Sequence, residues 1–134
     1  LGTLNHNLVG DIIWLKRFSG HSSSFKSLEY ICSMDNPSSL SQVLYSDFSE
    51  LRKVREVVDS IIVDFSIEAS EQDYEQSLSY VNTKGIEFTK PFSFLVQHFF
   101  NHHTHHRGQV TTLLSQLGKD VGMTDLLALM PDSD

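Results

Sequence analysis

Five of the seven histidines in this chain, His98, His102, His103, His105 and His106, fall within nine consecutive residues. Imidazole is the side chain that is neutral near physiological pH and commonly binds divalent metals, so the cluster asks first for metal chemistry. If the segment is helical at about 100° per residue, with His98 at the origin, Leu95, Phe99, Leu113 and Leu117 fall between roughly 60° and roughly 100° and define a core-facing stripe. His106 lands at about 80°, within that stripe, and His102 at about 40°, on its edge. On the same wheel His98, at the origin, and His105, at about −20°, drift toward solvent, while His103 lies at about 140° on the opposite margin. Histidines at i and i+4 on one face have Cβ atoms about 5–6 Å apart and can share one ion. His102 and His106 have that spacing; His98 with His102 and His103 with His106 are rival pairs that spacing leaves open. A single histidine on an apolar face is more commonly a hydrogen-bonded core residue.

Two ligands seldom suffice, and the remaining histidines are His6 and His21. His6 shares a helical arc with Gly10 and Ile13, whereas His21 follows a Ser-Gly break and is expected to be exposed. A His6, His102 and His106 set offers three neutral nitrogens and leaves a position for water, as catalytic sites do and closed structural sites do not. Three imidazoles suit zinc, nickel, copper or iron, and ligand type alone does not choose among them.

These residues need a scaffold. The spacing of Leu4, Leu8, Ile12 and Leu15 predicts a first helix over Gly2 to Phe18 with Thr3 as its cap, and Val9, Ile13, Trp14 and Phe18 widen its apolar arc. Residues 21–44 are Ser-rich and read as a long loop with a helical turn near Phe25 to Ile31. Asp47 followed by Glu50 predicts the start of a second long helix, whose stripe Leu51, Val54, Val57, Val58, Ile61, Ile62 and Phe65 runs to about residue 67. Glu68 to Gln76 reads as a turn. Alternation through Leu78, Tyr80, Ile86 and Phe88, with Gly85 at the bend, predicts a small β-hairpin. A long helix follows from Pro91 to Leu117, stopped by Gly118, and Thr124 is expected to cap a short last helix through Met130. The fold class is therefore mostly α, a helical bundle with one hairpin.

Composition narrows the function further. The 134 residues are read as a single domain, with 40% hydrophobic residues including nine Phe, enough for a packed core. Ten basic against seventeen acidic residues gives a net charge of −7, which disfavours a nucleic-acid partner. No apolar run is long enough to span a membrane, and the lone Cys32 cannot make an internal disulfide. A cytoplasmic location is the expectation, with no membrane or nucleic acid as partner.

The string Asn101-His102-His103-Thr104-His105-His106-Arg107-Gly108-Gln109 resembles the His-x-x-x-His-Arg-Gly-Gln helix of the DinB-like (DinB/YfiT) metalloproteins. Thr3-Leu4-Asn5-His6, with Asp11-Ile12-Ile13-Trp14-Leu15, is similar to that family's second helix, and Thr124-Asp125-Leu126-Leu127 also fits. The resemblance implies an up-down-down-up four-helix bundle and selects His6, His102 and His106 as ligands of a divalent ion, zinc or nickel ahead of iron or manganese. It further implies a homodimer and a small-molecule thiol substrate, since related branches are thiol-dependent transferases and isomerases. The family carries a helix before the one that opens here, so the chain is expected to be incomplete at its N-terminus. The arc around His6 and Gly10 would then need cover from upstream chain or from a partner.

Two functions compete. The first is a metal-dependent thiol-transferase or hydrolase-like enzyme, whose ion makes an anionic nucleophile available at neutral pH. The second is a noncatalytic stress-response or regulatory protein in which the metal only fastens helices, favoured by the lack of evident acids and bases around the triad. Gln109, Asn5 and Asp11 are candidates to orient a ligand's second nitrogen. Arg107 is expected to be exposed or ion-paired, with substrate anchoring as the alternative, and Gly108 is expected to admit a neighbouring helix.

Overall fold

The computed structural model describes residues 1–132. Helix α1 (Gly2–Phe18) leads through a 3₁₀ turn at Lys26–Leu28 into α2 (Glu29–Ser33), and a long connection reaches α3 (Phe48–Glu68). A one-turn α4 (Glu71–Tyr74) precedes an antiparallel hairpin of β1 (Ser77–Val81) and β2 (Glu87–Pro91), and α5 (Phe92–Gln116) follows directly. A second 3₁₀ turn covers Leu126–Leu129. The mostly helical bundle with one small hairpin is the architecture the pattern of the sequence predicts.

Local chemistry sets most of the boundaries. Asp47 caps α3 by accepting the Glu50 N–H at 3.0 Å. Gly85 takes the hairpin turn at φ +79°, and Gly118 ends α5 at φ +69°, conformations that side chains rarely adopt. Thr3 is no cap: α1 already begins at Gly2, with Leu1 before it and no side-chain bond. Thr124 likewise leaves the last turn uncapped, and that turn is 3₁₀ rather than α, with Asp125 before it. The acidic stretch after α3 is not a plain turn, because Ser70 and Asp73 close a capping box around α4.

The core is an aromatic cluster where α1, α3 and α5 meet. Phe18 sits 5.7 Å from Phe65, 5.3 Å from Phe92 and 5.7 Å from Phe99, centroid to centroid, and Phe25 meets Phe65 edge-on at 5.0 Å. The chain's aromatic cement lies against the end of α1 and the start of α5, so the two helices run antiparallel and His6 faces the middle of α5. The predicted stripe of α5 divides along its length. Leu95 and Phe99 are buried, but Leu113 is 52% exposed and Leu117 74% exposed. The cause is length: 25 residues of α5 rise about 37 Å against about 25 Å for the 17 of α1, so the last turns run past the element that packs on them. These leucines line one wall of an apolar groove of about 870 Å³, opposite Leu4, Phe48 and Leu51.

Candidate metal centre

Three imidazoles converge between α1 and α5. Ring centroids lie 5.3 Å apart for His6 and His102, 4.5 Å for His6 and His106, and 4.4 Å for His102 and His106. One nitrogen from each ring falls within 4.8 Å of the other two. Tetrahedral bonds of about 2.0–2.1 Å place ligand atoms roughly 3.3 Å apart, a closure that side-chain rotation supplies. All three rings are half-buried. The set could hold a metal ion, and it joins α1 to a helix that begins more than eighty residues later in the chain.

Two of the three rings, His6 and His106, have a second nitrogen held by a hydrogen bond. His6 donates its Nδ1–H to the Leu40 carbonyl at 2.8 Å, and His106 donates its Nδ1–H to Gln109 Oε1 at 2.7 Å. An imidazole that donates from Nδ1 offers, in its neutral form, the Nε2 lone pair to an ion. Gln109 in turn donates from Nε2 to His105 at 3.3 Å. His102 is pushed down to about 4 by burial and then by the neighbouring His106 and His6 rings, so it is neutral at physiological pH. Its seat is Gly10: a Cβ there would stand 2.9 Å from His102 Cε1. Gly10 is thus covered within this chain by the His102 ring, while His6 stays half-buried beside a cavity.

The rival histidine pairs are drawn elsewhere. His103 donates Nε2–H to Asp11 of α1, a wholly buried carboxylate that also accepts from Arg55 Nη1. Arg55 reaches Asp59 as well, at 2.8 Å. Asp11 therefore ties α1, α3 and α5 together and orients no ring of the triad. His98 packs edge-on against Trp14 at 5.1 Å. Trp14 and Tyr80 are also capped by the Arg17 guanidinium at 4.6 and 5.0 Å, and burial pulls the Arg17 pKa down.

Among the supporting residues, Gln109 holds the second nitrogen of His106, while Asn5 and Gly108 are placed otherwise than expected. Asn5 is fully buried and exchanges two 2.9 Å bonds with the Tyr45 backbone, pinning the approach to α3. Gly108 faces open space, with nothing within 4 Å of a Cβ placed there; the close approach falls at Gly10 instead. Arg107 is exposed beside the apolar groove. His21 corrects the sequence expectation of exposure most sharply. It is only 4% exposed, sandwiched by Phe25 at 5.3 Å and Phe92 at 4.5 Å, and its Nδ1 accepts the Ser23 N–H at 3.2 Å. Asp73 lies 3.8 Å from that nitrogen and is held down to about 2, first by the Ser23 hydroxyl and then by Ser70. The ring completes the aromatic core, away from the triad. The Leu40 carbonyl was beyond sequence reasoning, since it arrives from a segment without a period.

The chain belongs to the DinB family, whose model matches residues 1–132. Comparison with curated proteins and with solved structures gives no match. Among the described residues, no helix is long and apolar enough to cross a membrane.

Proposed function

We propose that His6, His102 and His106 bind one divalent metal ion, zinc or nickel ahead of iron or manganese, and that the ion serves a metal-dependent thiol-transferase or hydrolase-like reaction. The observation that carries the reading is the convergence of three half-buried imidazoles, two of which have Nδ1 already committed to a hydrogen bond. Three neutral nitrogens leave the ion its full charge and at least one free position. A bound ion would supply Lewis acidity there, lowering the pKa of a coordinated water or thiol. The chain's own residues fix the tautomers of His6 and His106, keep His102 unprotonated, and present the open side to a cavity beside His6 and His106. His103 and His98 are engaged with Asp11 and Trp14, which supports an open site over a closed four-ligand one. The test is turnover of a small thiol with an electrophile by metal-loaded protein. The reading predicts turnover that His106→Ala abolishes, and its absence across several thiols at full metal occupancy would refute the enzymatic part.

One observation favours the alternative of a noncatalytic stress-response or regulatory protein: among the described residues, no carboxylate lines the cavity beside the triad. In that case chelation would loosen α1 from α5 and no thiol would turn over. A homodimer is a further proposal, carried by the family resemblance and tested by sedimentation of the purified chain.

A further inference from the structure

The connection between α2 and α3 is anchored at its two ends and unburied between them. Lys16 of α1 donates to the Met34 carbonyl and, at 2.8 Å, to Asn36 Oδ1. At the far end Asn5 holds the Tyr45 backbone, and Met34, Leu44 and Tyr45 pack against the core. From residue 35 to residue 43 nothing is buried, and Leu40 and Val43 are 47% and 57% exposed. Bonds within this strap only curl it on itself: Ser38 N–H reaches Gln42 Oε1 at 2.6 Å, and Gln42 N–H reaches the Ser39 carbonyl at 3.2 Å. Among the described residues, one hydrogen bond joins 37–43 to the rest of the chain, from His6 Nδ1 to the Leu40 carbonyl at 2.8 Å. The same stretch, Pro37 to Ser41, forms a wall of the cavity beside His6 and His106.

We infer that metal binding latches this strap: an ion on His6 Nε2 secures the Leu40 carbonyl through Nδ1–H of the same ring, so the cavity wall is held shut far more in the loaded protein than in the free one. The inference rests on the metal reading of the triad and adds to it a conformational consequence. Neutral imidazole has two tautomers, and only one can donate to Leu40. The other turns a bare Nδ1 toward the carbonyl, acceptor against acceptor, and the strap loses its central tie. An ion on Nε2 removes that second tautomer. It also places positive charge on the ring, and charge-assisted hydrogen bonds are roughly twice as strong as neutral ones. With no apolar burial between residues 35 and 43 to compete, this bond decides whether the strap lies down. The coupling is reciprocal, so loosening the strap elsewhere must weaken the metal.

The experiment compares the full chain with zinc and in chelator by amide hydrogen exchange, with zinc binding followed by titration calorimetry. Chelation is expected to speed exchange in residues 35–43 about tenfold, the worth of one hydrogen bond. The one-turn α4, which packs by Tyr74 on Phe92 at the other end of α5, is the reference and should change far less. Lys16→Met unties the near end of the strap, about 15 Å along α1 from His6. It should speed strap exchange in the loaded protein and weaken zinc about fivefold. Equal acceleration of the strap and α4 on chelation, or unsubstituted zinc affinity in Lys16→Met, would overturn the latch. Should Lys16→Met fail to fold, the exchange comparison on the unsubstituted chain decides alone. Absence of zinc binding in the calorimeter would instead refute the metal reading on which the latch rests.

Discussion

Gly10→Ala separates the metal site from the fold. In the middle of α1 an alanine is favoured over glycine by about 0.5–1 kcal/mol, because glycine surrenders more backbone freedom on folding. Gly10 has ordinary helical backbone, so nothing strains the substitution locally. The added methyl, however, would stand 2.9 Å from Cε1 and 3.4 Å from Nδ1 of His102. The ring must retreat by roughly 0.5 Å or more to reach ordinary van der Waals contact, beyond the roughly 0.2 Å that metal–ligand distances tolerate. Metal-free Gly10→Ala should therefore melt about 2–5 °C above the unsubstituted protein. Its affinity for zinc should fall about 10–100-fold, or about 1.4–2.7 kcal/mol. Titration calorimetry with zinc and thermal melts in chelator measure the two quantities on the same preparation. Wild-type affinity in Gly10→Ala would refute the seat of His102. Lowered affinity with a collapsed melting temperature would show that the clash spreads beyond the ring.

Other outcomes follow from the same contacts. Gln109→Leu removes the acceptor that fixes the His106 tautomer and should cost about tenfold in metal affinity with little change in melting temperature, by the same calorimetry. Asp11→Ala leaves Arg55 and His103 without their shared carboxylate and should destabilise the protein by about 3 kcal/mol in urea unfolding. Asp73 has a folded-state pKa of about 2, below its ordinary value of 3.8, so it contributes stability above about pH 4 that is lost as pH falls toward about 2. Ser23→Ala should raise that pKa and make the acid-unfolding profile flatter in this window. His21→Ala should lower the melting temperature, because the ring is core, and leave metal content unchanged.

The convergence of three imidazoles was legible from two of them one turn apart and a third on a helix with a plain period, with the family resemblance choosing this set among the pairs that spacing left open. Helix boundaries were legible where a single residue decides them, as Asp47 and Gly118 do. What escaped depends on distant partners. His21 follows a Ser-Gly break and looks exposed, but its cover comes from Phe92 and Asp73, more than fifty residues away. Asp11 looked like a partner for a ligand ring, and only the docking of α3 reveals that Arg55 and His103 claim it. Gly108 and Gly10 are alike in sequence, and the side that faces a neighbour is set by the rotation of each helix. Leu113 and Leu117 continue a perfect stripe, and periodicity carries no information on where the neighbouring helix stops.

The proposed site is one ion held by three rings. Elemental analysis of protein purified without a metal-affinity step, alongside His6→Ala, His102→Ala and His106→Ala, addresses it most directly. About one equivalent of a divalent transition metal is expected in the unsubstituted chain and a sharp loss in each variant, with His21→Ala as the unaffected control. A full equivalent retained after removal of any one of the three rings would contradict it.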